Sequence, residues 1–183
     1  GQSVNACVIK DSHNEATVSS NNSTSDLRLG GLVGSANSTL NVSDSYNTAS
    51  VESNKKMNRI GGVVGYVGGA VTIDKSYNEG AVTGGVACGG VVGYAKGGAI
   101  SVTESHSIGN VTGTYYVGGI IGQADNGGAN VTTITNCYNK GSIRSTQTTN
   151  SSGSCEASGL LAICNSVLHI SYSYNIGSVT SYA

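Results

Sequence analysis

The chain has 183 residues, of which only 10% are charged, a net charge of −1, and no Pro, Trp or Phe. That balance offers no electrostatic basis for holding nucleic acid or an anionic membrane surface, and low charge with regularly spaced Val, Ile and Leu is a packing composition, not a disordered one. No apolar run approaches the ~20 residues a membrane-spanning helix needs, so no membrane insertion is expected.

In chain order, one phrase recurs. Its second half opens the sequence as DSHNEATV (Asp11–Val18). The full phrase follows as GGLVG (Gly30–Gly34) with DSYNTASV (Asp44–Val51), then GGVVG (Gly61–Gly65) with KSYNEGAV (Lys75–Val82). It continues as GGVVG (Gly89–Gly93) with ESHSIGNV (Glu104–Val111), then GGIIG (Gly118–Gly122) with NCYNKGSI (Asn136–Ile143). It ends as a worn SGLLA (Ser158–Ala162) with YSYNIGSV (Tyr172–Val179). Repeats of about 30 residues signal a solenoid.

Aligned on Ser12, Ser45, Ser76, Ser105, Cys137 and Ser173, the positions five and three residues upstream are Cys7/Ile9, Leu40/Val42, Val71/Ile73, Ile100/Val102, Thr132/Ile134 and Leu168/Ile170. All but Thr132 are apolar, and mostly polar residues alternate with them. This period of two is that of a strand with one buried face. The glycine phrase gives a second strand and the Val or Ile that ends each copy starts a third, with glycine permitting the corner. The expectation is an all-β chain: one parallel β-helix, or β-solenoid, domain over residues 1–183, with about five to six coils of ~30 residues. Length variation is expected in outward turns such as Thr146–Ser154.

These repeats resemble the GLUG motif, a family named for its Gly-Leu-hydrophobic-Gly phrase and found in secreted and surface-attached proteins. The resemblance runs from Asp11 to Val179. It implies an extracellular or cell-surface repeat module and no defined reaction.

Five cysteines leave at least one outside any intrachain pair. Cys7, Cys88 and Cys137 align with inward positions and read as small buried hydrophobes. Cys155 and Cys164 bracket the last glycine phrase as a candidate disulfide, and Cys164 also aligns with Ala36, Ala95 and Ala124, which fits a buried thiol. No CxxC pair or His/Cys cluster points to a metal. GGVVG lacks the GxGxxG spacing and a following helix, so no nucleotide cofactor is expected.

Tyr46, Tyr77, His106, Tyr138 and Tyr174 share one coil position with His13, and stacked coils ~4.8 Å apart would align these rings into a ladder. Asn14, Asn47, Asn78, Asn139 and Asn175 follow them and would form a second ladder that satisfies turn backbone groups. The ring row is read first as structure and second as a strip that could grip a polysaccharide. Carboxylates near the triplet (Asp11, Asp44, Glu104, Glu15, Glu79) could approach within a glycosidase spacing across coils, but Lys75 and Asn136 interrupt the row. Outward Thr72, Ser101 and Thr133 suggest an ice-binding array over three coils only. Sequons at Asn21, Asn22, Asn37, Asn41, Asn110, Asn130 and Asn150 are candidate N-glycosylation sites, six of them in turns or loops.

The chain opens in the second strand of a coil and closes after the third strand of another, and neither end carries a polar cap. Open solenoid ends template pairing, and a heterologous contact of that kind builds filaments. The leading expectation is therefore a non-enzymatic extracellular structural subunit that self-associates head to tail into a fibre or stalk. The alternatives are a surface adhesin that binds glycans through the Tyr ladder and a polysaccharide-cleaving β-helix enzyme.

Overall fold

A computed structural model describes residues 6–21, 26–54, 58–147 and 155–181. The chain is all-β and coils into a parallel β-solenoid in which each strand pairs with its equivalent one turn away. One coil shows the pattern: Arg59–Gly61, Val64–Val67, Val71–Asp74, Tyr77–Asn78 and Val82–Thr83. Five ladders result, numbered here in that order. Ladders one and two hold five rungs each, and ladders three, four and five hold six. All five run together over about four turns of ~31 residues, slightly fewer than expected, because the opening copy supplies only Cys7–Lys10, His13–Asn14 and Val18–Ser20.

The register follows the repeated phrase: Val71 lies opposite Leu40 and Ile100, Tyr77 opposite Tyr46 and His106, and Gly89 opposite Gly61 and Gly118. Each coil has five short strands where the periodicity predicts three. The glycine pair splits one predicted strand in two. A second break falls just before the aligned Ser, where Asp11, Asp44, Lys75, Glu104, Asn136 and Tyr172 all have φ between 45° and 53°. A left-handed residue turns the strand direction there.

Two apolar columns fill the coil. Ladders two and three enclose one, including Leu40, Val64, Val71, Ile73, Val92, Ile100 and Ile134. Ladders one and five enclose the other, with Val51, Ile60, Val82, Cys88, Val111, Val117 and Ile143. The cross-section is pinched between them, where the glycine pair meets the Asn ladder. Thr132, the polar exception in the aligned apolar set, is fully buried with its hydroxyl 3.2 Å from that of Ser166. Among the described residues no helix is long and apolar enough to cross a membrane.

Candidate functional site

Ladder four gathers the sequence-predicted rings into one continuous stack. His13, Tyr46, Tyr77, His106, Tyr138 and Tyr174 follow one another at centroid distances of 5.0, 4.9, 4.8, 4.5 and 5.4 Å, with interplanar angles of 4–11°. The parallel rung spacing imposes this, since identical positions on adjacent strands cannot be much farther apart. Each interior ring gives both faces to other rings. What the row offers solvent is ring edges and phenolic hydroxyls, and only His13 and Tyr174 have a face with no ring neighbour. Burial between Tyr77 and Tyr138 lowers the His106 pKa below its ordinary 6.5; nearby Glu79 opposes this and Lys140 adds to it.

One residue further on, side-chain amides form a polar ladder. Asn14 donates Nδ2 to Asn47 Oδ1, Asn47 to Asn78 and Asn139 to Asn175, each at 2.7 Å. The same nitrogens donate to the carbonyl two residues on, at 2.6–2.7 Å, which fixes the turn into ladder five. Where Ser107 replaces Asn the chain of bonds weakens: Asn78 reaches Ser107 Oγ at 3.5 Å, and Asn139 Oδ1 is buried with no partner. The aligned serines make a third ladder, in which the N–H of Ser12, Ser45 and Ser76 donates to the hydroxyl of the next coil's Ser at 3.1–3.2 Å.

The carboxylates Asp11, Asp44 and Glu104 occupy the left-handed corners, so their recurrence is accounted for by backbone shape. His13 Nε2 lies 3.9 Å from Glu15. His169 is exposed on the outer face of ladder three, opposite Thr133. Among the described residues no three His, Cys, Asp or Glu side chains converge as metal ligands would.

The structure corrects two cysteine expectations. Cys7 is exposed, because its strand is the outermost rung of ladder three. No disulfide joins Cys155 and Cys164: the Cys164 thiol lies 3.3 Å from Ser166 Oγ, and Cys155 sits beside Ser181, whose hydroxyl donates to its carbonyl at 3.1 Å. Cys88 and Cys137 are buried as expected. Of the sequons, Asn21, Asn37, Asn110 and Asn130 are exposed and Asn41 is partly covered within Leu40–Ser43. Asn22 and Asn150 lie outside the described residues.

One feature was missed from the sequence, a cluster on the outer face of ladders one and two. Arg28 lies 4.0 Å over the Tyr66 ring and Arg59 5.0 Å over that of Tyr94, while both guanidinium groups pair with Asp26. Partial burial works to raise the Asp26 pKa, but the two arginines outweigh it and hold the carboxyl below its usual range. Tyr94 donates to Asp125 at 2.9 Å, and burial with that bond pushes its phenol up to about 12. The signal was present: RLGG and RIGG on one side, GYV and GYA on the other, at matching coil positions.

A family model described as the GLUG motif matches residues 113–144. No curated protein and no solved structure matches the chain. The matched span begins at Gly113, at the end of one ladder-five strand, and closes in the next, Ile143–Ser145. The chain carries the GLUG motif, and one copy of it is one turn of this solenoid.

Proposed function

We propose that the protein is a non-enzymatic structural subunit of the cell surface or extracellular space, stacking head to tail into a filament or stalk. The observation that carries this reading is the direction of the ladder-four bonds. Every Asn–Asn bond of the ladder points the same way, with Nδ2 donating to Oδ1 of the following coil: Asn14 to Asn47, Asn47 to Asn78 and Asn139 to Asn175. On the last described rung, Asn175 Nδ2 reaches only the Gly177 carbonyl. On the first, Asn14 Oδ1 accepts only a 3.4 Å contact from the Ala16 N–H. The two outermost described rungs thus carry the acceptor and the donor of the same bond.

The neighbouring ladders carry the same complementarity. The Ser173 N–H is the counterpart of those that donate to the next coil, and Ser12 Oγ is the matching acceptor. Tyr174 and His13 each keep one open ring face. Leu168, Ile170 and Val179 are 40–43% exposed, whereas their counterparts Leu40, Ile73 and Val82 are fully buried. A second copy laid first rung to last would bury this apolar strip and continue ladders three, four and five. Ladders one and two would keep a one-rung notch at each joint. Exposed sequons at Asn37, Asn110 and Asn130 suit an extracellular setting.

Electron microscopy and sedimentation test the reading. Filaments with a subunit rise of roughly 29 Å are expected, from six rungs at ~4.8 Å. Ile170→Lys with Val179→Lys should return them to monomers without loss of strand content. Wild-type protein that stays monomeric at high concentration would overturn the proposal.

A further inference from the structure

The corner between ladders two and three consists of residues 37–39, 68–70, 97–99, 126–130 and 165–166 in successive turns. The fourth of these is the longest, and its Gly127, Gly128, Ala129 and Asn130 are all exposed. Two bonds close it: the Asn130 N–H donates to the Gly127 carbonyl at 3.1 Å, and Asn130 Nδ2 to the Asn126 carbonyl at 2.6 Å. Gly127 and Gly128 hold φ of 69° and 42°, and a Cβ on either would meet no atom within 4 Å.

Asn126 itself is buried, and Asn126–Gly127 is the one Asn–Gly pair in the sequence. Its side chain is held less firmly than the other buried amides. Asn47, Asn78 and Asn139 each donate Nδ2 to the carbonyl two residues on at 2.6–2.7 Å, and Asn58 donates to Ser53 Oγ at 2.6 Å. Asn126 Nδ2 has no partner, and its Oδ1 accepts only a 3.4 Å contact from the Thr132 hydroxyl. Among the described residues no backbone carbonyl accepts from the Gly127 N–H.

Three conditions for attack of a backbone nitrogen on the preceding side-chain amide therefore meet at one peptide bond. The amide is free to turn, the nitrogen is not engaged, and glycine places no Cβ beside the forming ring. In the ladder-four row, by contrast, turning an amide would break the bonds it donates.

We propose that Asn126 is a site of spontaneous deamidation, converted through a succinimide to aspartate and isoaspartate. The Gly127 nitrogen gives up its proton and bonds to Asn126 Cγ. The Cγ–Nδ2 bond breaks, and the amide nitrogen leaves with that proton as ammonia. Water then adds to either ring carbonyl. Opening the bond from the Gly127 nitrogen to Cγ gives aspartate, and opening its bond to the Asn126 backbone carbonyl carbon gives isoaspartate. Aspartate puts a carboxylate where the enclosed amide was, and loss of solvation disfavours a charge there. Isoaspartate routes the backbone through Cβ and Cγ and turns the carbonyl that receives Asn130 Nδ2 into a free carboxylate. Either product loosens this corner and marks an aged molecule. The site uses neither the outermost rungs nor the ring row, so it stands apart from head-to-tail stacking.

The test is incubation of the folded full chain at mildly alkaline pH and body temperature, followed by peptide mapping with mass spectrometry. Asn126 should show the mass gain of an amide-to-acid exchange before any other asparagine, with isoaspartate detected on the same peptide by enzymatic methyl transfer. The rate should rise with pH, because the attacking nitrogen must shed its proton. Gly127→Ala should slow conversion about tenfold or more, which is ~1.4 kcal/mol on the barrier, since a Cβ crowds the attacking nitrogen. Gly128→Ala, also in the left-handed region, should leave the rate near that of wild type, which separates chemistry at Gly127 from a general loosening of the turn. Asn126→Asp should melt several degrees below wild type, and an unchanged melt would overturn the loosening. An Asn126 that stays intact in the folded chain while the urea-unfolded chain converts, another asparagine that converts first, or equal slowing by both alanine variants would each overturn the assignment.

Discussion

Gly62 and Asn78 fit together as groove and ridge: a Cβ on Gly62 would sit 2.2 Å from Asn78 Cγ and 2.1 Å from the Gly90 carbonyl oxygen. The same approach recurs at Gly31 with Asn47, Gly119 with Asn139 and Gly159 with Asn175. The two halves of the repeated phrase, far apart in sequence, are thus one contact across the waist of the coil. Gly62→Ala should therefore cost more than about 3 kcal/mol, at the upper end of overpacking effects. Removing the Asn side chain as well should not rescue it, because the Gly90 carbonyl remains. Gly127→Ala, with φ of 69° and no atom within 4 Å of the new Cβ, should lose only the ~1–2 kcal/mol of left-handed strain. Urea denaturation of the three variants separates these outcomes; equal losses at Gly62 and Gly127 would refute the waist contact.

Ser107 is the one rung where the Asn ladder is interrupted, and it leaves Asn139 Oδ1 buried without a donor. The space is already built, since Gly90 faces Ser107 as Gly62 faces Asn78. Ser107→Asn should supply Nδ2 to Asn139 and accept a full-strength bond from Asn78. A buried acceptor without its partner costs ~1–3 kcal/mol, so a gain of that order is expected. A melt raised by several degrees supports this, and a lowered one would mean that the rung cannot hold the longer side chain.

Register was legible in the sequence because inward and outward residues alternate and the SYN triplet marks phase. Once Tyr46, Tyr77 and Tyr138 were aligned, the ring stack followed from rung spacing alone. Strand number was not legible. A left-handed break is easy to foresee at Asp44 or Asn136, yet the same conformation at Lys75, Glu104 and Tyr172 is imposed by neighbouring rungs and has no local signal. The Cys155–Cys164 expectation came from proximity in sequence, whereas each of these residues hydrogen-bonds elsewhere on the last coil.

Lys75 holds a φ of 45° that Asp11, Asp44 and Asn136 adopt at the same coil position with less steric cost. Lys75→Asn should stabilise the protein by about 0.5–1 kcal/mol, while Lys75→Val should destabilise it by more than that, since a branched Cβ is least tolerated there. Chemical denaturation midpoints check both signs. A stable Val variant would mean that the corner can relax away from the left-handed region.

His106 gives ladder four a pH dependence. Its pKa in the folded chain lies below the ordinary 6.5, mainly through burial in the ring stack. Above pH 6.5 the imidazole is neutral in both folded and unfolded chains and costs nothing. As the pH falls below 6.5 the unfolded chain takes up the proton first, so stability declines until the folded-state pKa is passed. The slope from this one group cannot exceed about 1.4 kcal/mol per pH unit. His106→Tyr, which restores the ring found on adjacent rungs, should flatten the stability profile between pH 6.5 and 5 relative to wild type. Identical profiles would place the imidazole in contact with water.

The thiols should divide by burial. Cys88 is fully buried, its thiol donates to the Gly84 carbonyl, and loss of solvation pushes its pKa far above that of a free cysteine. Burial likewise raises Cys137, to about 11, against the opposing pull of its backbone contacts at Ser105 and Thr135. Since the thiolate is the reactive form, Cys137 stays almost wholly protonated at pH 8 and is enclosed as well. Cys7 is exposed at the open rung. Native iodoacetamide labelling read by mass spectrometry should modify Cys7 within minutes and leave Cys88 and Cys137 intact until denaturant is added. Filament assembly should slow the Cys7 reaction, because a second copy would cover its strand. Protection of Cys7 that rises with protein concentration, while Cys88 and Cys137 stay unreactive throughout, would link the thiol chemistry of this chain to its stacking. Early labelling of Cys88 would instead show that the column between ladders one and five opens readily.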